Sequence, residues 1–265
     1  MRNYRTLLIE NVDIRGSGLP TRFYFDRGIQ AIAQWRPLFM NVIFSGALDP
    51  ALKREGEEAS ADDSLFYKPV CGIQADWCYA PSFQHCYVWA AHTGYRLVSE
   101  GDRPQGPEDC AFYRSNAVNC RIGIDIRTPA LEPQLALDAC HINCRDIGVR
   151  LANRKFFQLT GNLFYSHGNP KYPYTDIDLV NCYGGIVSNN IFHSVSRDNL
   201  RAEPPSQRTM LRADAKTRDL LIAGNLYNAK GKALEMEDGA QRIRFEGNMA
   251  ANEYAALPEQ NGAGR

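Results

Sequence analysis

The sequence predicts an all-β fold, a single-stranded, right-handed parallel β-helix of about 8–10 coils. Three observations support this prediction. A short apolar stretch ends at an asparagine or cysteine again and again, a Gly-Ile-x-Ile phrase alternates with it, and apolar residues recur with a period of two inside each unit. This periodicity is typical of strands joined by turns, and no long stretch keeps the helical period of 3.6.

The first pattern predicts a ladder of stacked side chains at one corner of the coil. The residue three places earlier is apolar at seven of eight positions, and His141, three places before Cys144, is the exception. Side-chain amides at the strand spacing of about 4.8 Å can bond one another and the turn backbone, and cysteine can replace asparagine there. The predicted rungs are Asn41, Cys86, Cys120, Cys144, Asn162, Asn190, Asn225 and Asn248, with Asn11 as a further member.

The second pattern predicts the strands of one long parallel sheet. Its copies begin at Gly28, Gly72, Gly94, Gly123 and Gly148, and Ile177-Asp178-Leu179 and Leu234-Glu235-Met236 continue it without the glycine. Neighbouring copies lie 22 to roughly 30 residues apart, except for the 44 residues between Gly28 and Gly72, which suggest a skipped or distorted turn. A unit of this length cannot bury its own apolar face, so the units must stack.

These phrases resemble those of the pectate-lyase-like right-handed β-helix superfamily. Leu159-Thr160-Gly161-Asn162, Ser188-Asn189-Asn190, Ile222-Ala223-Gly224-Asn225 and Phe245-Glu246-Gly247-Asn248 look like its asparagine-ladder turns. The resemblance covers residues 7 to 252 and implies the fold. It leaves the function open, because the superfamily includes polysaccharide lyases, glycosidases, uronan epimerases, phage tailspikes and adhesins.

Length and composition predict one elongated domain. The repeats run from residue 1 to 252 without a linker, and we expect 253–265 to be a disordered tail. Residues 1–6 cannot cap the first coil, which predicts either a preceding segment or a partner subunit, as in trimeric tailspikes. The 30 basic and 30 acidic residues balance, so neither nucleic acid nor membrane is expected as a partner. No signal peptide is recognisable, and the compartment stays open, extracellular or virion-associated for a secreted or phage-derived protein.

The eight cysteines allow three interpretations. Buried thiols are favoured, since eight in 265 residues is sparse for a disulfide scaffold. A disulfide stays an alternative, and a zinc site drawn from Cys110, Cys120, Cys140, His141 and Cys144 is a third, although no Cys-x2-Cys pair exists. We predict no certain cofactor, and a calcium requirement is left open.

Alternation along the Gly-Ile-x-Ile strands predicts which side chains face solvent. One outward column is Gln30, Gln74, Arg96, Asp125, Arg150, Asp178, Arg212 and Glu235. A second column, two residues on, is Ile32, Asp76, Val98, Arg127, Ala152, Val180, Asp214 and Glu237.

The resemblance implies that this charged face is the substrate groove, and it points to five catalytic candidates and a binding residue, Arg96. In a lyase a base removes a proton beside a uronate carboxylate while arginine or a cation stabilises the developing charge. In an inverting hydrolase two carboxylates stand about 6.5–9.5 Å apart. The catalytic candidates are Asp76, Asp125, Arg127, Arg150 and Asp178.

A structural interpretation of the same face competes with catalysis, because alternating charges on adjacent strands stabilise a sheet. The Asp-Asp pair of polygalacturonases, Gly-His-Gly, Arg-Ile-Lys and Asp-Pro-His are all missing from the strands concerned. A catalytic groove should hold a carboxylate that lacks a full set of partners, whereas a structural ladder should be completely paired.

Three insertions, Ser99 to Arg114, Ser166 to Thr175 and Ser194 to Arg208, are expected beside this face. The middle one has two interpretations of equal weight. It is either a structural cover or a source of binding groups that stack on sugars or hold carboxylates, namely His167, Lys171, Tyr172 and Tyr174. The sequence thus predicts a protein that binds a polysaccharide and that could also cleave it as a lyase or glycosidase. The alternative is a non-catalytic module of the tailspike or adhesin kind.

Overall fold

The computed structural model describes residues 3–16, 25–47, 69–99, 106–166, 173–194, 208–229, 231–251, 255–256 and 258. Within these residues the regular structure is entirely β, and neighbouring strands pair in parallel. The chain winds through three sheets in turn, so that each coil adds one strand to each sheet. The predicted single-stranded parallel β-helix is confirmed.

Sheet 1 is built from the Gly-Ile-x-Ile phrases. In spatial order it contains β2 (Arg27–Ile32), β4 (Cys71–Asp76), β7 (Thr93–Val98), the middle of β9 (Asn116–Asp138), the middle of β10 (His141–Thr160), β12 (Tyr174–Val180), β15 (Arg208–Ala213), β18 (Gly231–Met236) and β21 (Ala255–Ala256).

Sheet 2 follows sheet 1 along each coil. It contains the first part of β1 (Asn3–Arg15), the first part of β3 (Gln34–Ser45), β5 (Ser82–Gln84), β8 (Cys110–Tyr113), the ends of β9 and β10, β13 (Tyr183–Ser188), β16 (Arg218–Ala223) and β19 (Gln241–Glu246).

Sheet 3 closes each coil. It contains the ends of β1 and β3, β6 (Tyr87–Trp89), the starts of β9 and β10, β11 (Leu163–Ser166), β14 (Ile191–Ser194), β17 (Leu226–Asn228) and β20 (Met249–Ala250). Each sheet thus has nine strands among the described residues, within the predicted range.

The core lies between the three sheets and consists of inward columns in which like residues stack. Phe39, Phe83 and Phe112 form one such stack in sheet 2, with ring centroids 4.9 and 4.5 Å apart. Phe164 and Phe192 form another in sheet 3, at 5.0 Å. The long-range register therefore depends on ring stacking as well as on backbone hydrogen bonds.

Gly123 shows why the sheet 1 strands begin with glycine. A Cβ at this position would lie 2.5 Å from the carbonyl oxygen of Gly148 and 2.8 Å from the Cys144 Sγ. Both distances are shorter than real contacts, so this coil has no room for a side chain at the start of its sheet 1 strand.

The ladder at the corner between sheets 2 and 3 is confirmed for its four C-terminal asparagines. The Nδ2 of Asn162 donates to Asn190 Oδ1 at 3.0 Å, Asn190 to Asn225 at 2.9 Å, and Asn225 to Asn248 at 2.9 Å. Each Nδ2 also donates to a carbonyl of the previous coil, as Asn162 does to Leu137 at 3.0 Å. Cys86 is a rung as well, and its thiol bonds the Phe39 carbonyl at 3.4 Å in the same way.

The predicted rungs Cys120 and Cys144 are wrong, because the ladder continues through Ser115 and Cys140 instead. The backbone N–H of Cys140 donates to Asn162 Oδ1 at 2.9 Å, and that of Cys86 donates to Ser115 Oγ at 3.1 Å. Cys120 and Cys144 pair with each other where sheet 3 leads into sheet 1. The sequence held the signal, since Phe112 and Leu137 stand three residues before Ser115 and Cys140.

Asn41 is also misassigned, by one residue. It has a left-handed backbone (φ 52°), and its amide donates to Asn11 Oδ1 at 2.8 Å on the protein surface. Val42, the next residue, is fully buried and takes the ladder position. Asn11 and Asn41 are therefore turn residues, where asparagine tolerates positive φ well.

All eight cysteines are buried as free thiols, as predicted. Burial raises the pKa of Cys78 and Cys110 to about 11 and that of Cys140 and Cys182 to about 12. Thiolate is the reactive form, so these side chains act as small core residues rather than nucleophiles.

Two smaller expectations change. Strand β2 pairs directly with β4, so the long spacing between Gly28 and Gly72 skips no coil; the extra residues include 48–68, outside the described part. Ala255 and Ala256 pair with β18, so the β-helix includes two residues that the sequence placed in the tail. Over the described ranges, no helix is long and apolar enough to cross a membrane.

Candidate functional site

The charged face is the outer surface of sheet 1, and both of its predicted columns are correct in register. Arg96 pairs with Asp125, Asp125 with Arg150, Arg150 with Asp178, and Asp178 with Arg212. Asp125 and Asp178 thus lie two strands apart, which places their backbones near 10 Å from each other at the spacing of a sheet. The structure brings six of the predicted site residues onto this face, namely Arg96, Asp76, Asp125, Arg127, Arg150 and Asp178.

The carboxylates of the charged face lie beneath its guanidinium groups. The side chains of Asp76, Asp125 and Asp178 are 7%, 4% and 4% exposed. Four arginine side chains above them are between 23% and 43% exposed, namely Arg96, Arg127, Arg150 and Arg212. Solvent therefore meets a row of positive groups whose counter-charges are buried below it.

Asp76 is held from several directions. Its Oδ2 lies 3.4 Å from Arg96 Nη1 and accepts a hydrogen bond from the Gln74 side chain, while Oδ1 accepts the Val98 N–H at 3.2 Å. Gln74 is in turn fixed by Arg27, whose Nε donates to Oε1 at 3.1 Å. The Asp76 carboxylate thus connects β4 with β7 on the next coil.

Asp125 and Asp178 are each matched to guanidinium groups. Arg127 Nε lies 3.0 and 3.1 Å from the two oxygens of Asp125. Asp178 lies between two arginines, with Arg150 Nε at 3.4 Å from Oδ2 and Arg212 Nε at 3.0 Å from Oδ1. The three carboxylates proposed as catalytic groups are thus all paired, which is the arrangement expected of a structural ladder.

The row ends at Glu235 on β18. This carboxylate accepts hydrogen bonds from Lys232 Nζ at 3.0 Å and Thr209 Oγ1 at 3.1 Å. The bond from Lys232 lowers the pKa of Glu235. Glu235 therefore stays ionised and is a poor proton donor at neutral pH.

A further aspartate–arginine pair, which the sequence did not reveal, lies inside the coil behind this face. Arg208 Nε and Nη2 donate to the two oxygens of Asp176 at 2.7 and 2.8 Å, and both side chains are at most 2% exposed. Arg208 Nη1 also donates to the His193 carbonyl at 2.9 Å. Burial raises the pKa of Asp176, and the nearby Arg208 charge opposes that rise. One feature of the sequence could have indicated the pair. Asp176 aligns with Gly148, so it replaces the glycine that begins several earlier strands of sheet 1.

The predicted loop residues are placed differently from expectation. His167, Lys171 and Tyr172 lie outside the described residues, as do much of the second and third insertions. Tyr174 is only 2% exposed and its ring lies 5.6 Å from the Arg208 guanidinium. Its predicted role in stacking on a sugar is therefore wrong. The first insertion contains strand β8, so it is shorter than expected.

The chemistry open to the charged face is recognition of anions. Guanidinium groups bind carboxylate and sulfate with directed, charge-assisted hydrogen bonds. A general base must reach its proton, whereas these carboxylates are covered and already accept hydrogen bonds. In the described part of the chain, no group of three or more His, Cys, Asp or Glu side chains could hold a metal ion. The calcium requirement stays an open expectation.

Comparisons with known proteins show the fold. No protein-family model and no curated protein matches the sequence. The crystal structure of PfbA, a surface adhesin of Streptococcus pneumoniae, is similar with a TM-score of 0.57 and 14% identity, over 89% of this chain and 62% of PfbA. DFA-IIIase from Arthrobacter chlorophenolicus A6, in complex with GF2, gives a TM-score of 0.49 and 11% identity over 97% of this chain and 79% of that one. The chain thus spans less than two thirds of the PfbA structure.

Proposed function

We propose that this chain is a non-catalytic, polysaccharide-binding β-helix module that holds an acidic glycan on the charged face. The observation that carries the proposal is the layering of that face, with partly exposed guanidinium groups above buried carboxylates. PfbA, which has a similar fold, is a surface adhesin, so the fold is compatible with an attachment role. We also propose, from the ladder turns, that the chain is a member of the pectate-lyase-like group.

The spacing of the arginines suits an extended anionic chain. Arg96, Arg127, Arg150 and Arg212 lie on four of the five successive strands from β7 to β15, which span about 19 Å at the spacing between strands. A flat, repeating row of donors can bind several carboxylates of one polymer. Many weak contacts along a chain then add up to useful avidity.

Cleavage is the competing function, and the pairing of the acids argues against it. Asp125 and Asp178 would have to exchange a proton or attack a sugar, yet each accepts hydrogen bonds from arginine.

The test measures binding and cleavage together. Polygalacturonate, alginate and neutral dextran are immobilised, and binding is measured by biolayer interferometry with and without calcium. Unsaturated products and reducing ends are measured in the same samples. We expect binding to the two uronans that falls steeply with salt, no binding to dextran, and no products.

Matched variants locate the site. Arg150→Ala and Arg212→Ala should each weaken uronan binding by about tenfold, equivalent to about 1.4 kcal/mol. Arg244→Ala is the control, because that side chain is 72% exposed on sheet 2, and it should bind as the wild type does. Binding that is insensitive to Arg150 and Arg212 would refute the proposal. Products that disappear in Asp125→Asn would establish an enzyme instead.

A further inference from the structure

A groove with a volume of about 730 Å³ lies on the outer face of sheet 2, away from the charged face. It runs across the strands from β1 to β9, a distance of about 19 Å at the strand spacing. Its volume falls in the range of about 300–1,000 Å³ that is usual for sites of small ligands. We call it the sheet 2 groove.

The sheet 2 groove follows a bend that every coil makes. One residue per coil has a left-handed backbone at this point, and the four that line the groove are Arg36 (φ 47°), Ala80 (φ 47°), Asp109 (φ 53°) and Gln134 (φ 58°). The bend continues along the β-helix, so it does not by itself make a site. These coils differ from the others in the side chains that they place along the bend.

The groove has a floor of small side chains and a wall of aromatic rings. Ala80, Ser82 and Ala111 form the floor. The wall is a stacked pair, Trp35 and Tyr79, with ring centroids 4.1 Å apart and planes at 12°. Each ring covers one face of the other, so the apolar face of a sugar ring can pack on the remaining ring face or along the ring edges.

The side chains that line the groove carry no net formal charge. Arg36 and Asp109 cancel in charge, and the Tyr79 hydroxyl bonds the Asp109 carboxylate, an interaction that raises the pKa of Tyr79. Gln84 and Gln134 provide amides that both donate and accept hydrogen bonds. The groove therefore differs from the charged face, since it offers hydroxyl partners rather than positive charge.

We propose that the sheet 2 groove is a second carbohydrate site, which takes a neutral oligosaccharide with its rings against Trp35 and Tyr79. Hydroxyl groups of the sugar bond the amides of Gln84 and Gln134. The proposal is independent of acidic glycan binding on sheet 1. Together the two sites would let one β-helix hold two different polymers.

The experiment uses the full chain and four neutral probes, the hexasaccharides of cellulose, starch, laminarin and xylan, titrated by calorimetry at millimolar concentration. Ala111→Leu fills the floor without removing a polar group, and Trp35→Ala removes half of the wall. Ala136→Leu is the matched control, because Ala136 pairs with Ala111 on the next coil but does not line the groove. Circular dichroism checks that each variant is folded.

We expect at least one hexasaccharide to bind, with about tenfold weaker binding in Ala111→Leu and Trp35→Ala. Ala136→Leu and Arg150→Ala should bind it like the wild type. If Trp35→Ala does not fold, Ala111→Leu decides the question. The proposal is overturned if no probe binds, if Ala111→Leu binds normally, or if Arg150→Ala abolishes the binding.

Discussion

Strands β12 and β15 carry two aspartate–arginine pairs in opposite environments. Asp176 and Arg208 lie inside the coil, whereas Asp178 and Arg212, a few residues further along the same strands, lie on the outer face. The Arg208 guanidinium is bonded entirely within the protein, whereas water reaches the Arg212 guanidinium. The difference separates an ion pair that the fold requires from one that can be used to bind a ligand.

The largest expected effect is the loss of the inner arginine. Arg208→Met leaves the Asp176 carboxylate buried without its partner, and breaking a buried pair in this way typically costs about 3–5 kcal/mol. The free energy of unfolding, measured by denaturant titration with circular dichroism, should fall by that amount. Arg212→Met, on the same strand, is the control. Equal losses in both variants would remove the distinction between the two pairs.

Replacing both inner partners should restore most of that loss. In Asp176→Leu/Arg208→Met no charge stays buried, and such replacements of buried pairs are often neutral or stabilising. We expect the double variant to be more stable than Arg208→Met by about 2 kcal/mol or more, measured by the same titration. A double variant as unstable as the single one would mean that the hydrogen bonds to the Phe164 and His193 carbonyls matter more than the charges.

The inner pair should also have a distinct pH dependence. Because the pKa of Asp176 is raised above 3.8 in the folded state, the folded protein keeps a proton that the unfolded chain has already lost. The free energy of unfolding of the wild type, relative to Asp176→Asn, should therefore fall as the pH rises from about 4. Denaturant titrations at a series of pH values measure this difference. A difference that grows with pH would show that Arg208 outweighs burial.

The smallest effect belongs to the outer pair. Arg212→Met removes a side chain that is 43% exposed, and Asp178 keeps Arg150 as a partner, so we expect a loss of at most about 1 kcal/mol. Molar salt should reduce this loss further because it screens exposed charges. The loss in Arg208→Met should persist at high salt. Thermal unfolding of both variants at low and high salt checks the contrast.

The sequence predicted the charged face well and the interior poorly. Alternation along a strand fixes which residues lie on the outer side of the sheet, so both outward columns, from Gln30 to Glu235 and from Ile32 to Glu237, could be read directly. It does not fix how exposed they are, and Asp125 and Asp178 are only 3% exposed. Alternation does not fix which corner of the coil a small polar residue occupies. Cys120 and Cys144 were therefore assigned to the corner between sheets 2 and 3, although they lie where sheet 3 leads into sheet 1. The sequence did contain a sign of that error, because the residue three places before Cys144 is His141, whereas an apolar residue is expected there. In the correct register every rung follows an apolar residue of sheet 2 by three places.

Other features depend on contacts between coils that the sequence does not display. The pairing of Asp176 with Arg208 joins residues 32 positions apart across an insertion. The Trp35–Tyr79 stack joins residues from coils separated by a long insertion. Left-handed residues such as Arg36 and Asp109 are not glycines, so the bend beneath the sheet 2 groove leaves no mark in the sequence.

The burial of all eight thiols means that they can be oxidised only before the coils close. Once a coil is closed, its cysteines are out of reach of oxidants, and the raised pKa values of seven of the eight thiols leave almost no thiolate at these positions. Before closure, the same eight residues are ordinary reactive thiols that can form wrong cross-links. A chain whose coils close before its thiols are oxidised therefore keeps all eight of them free.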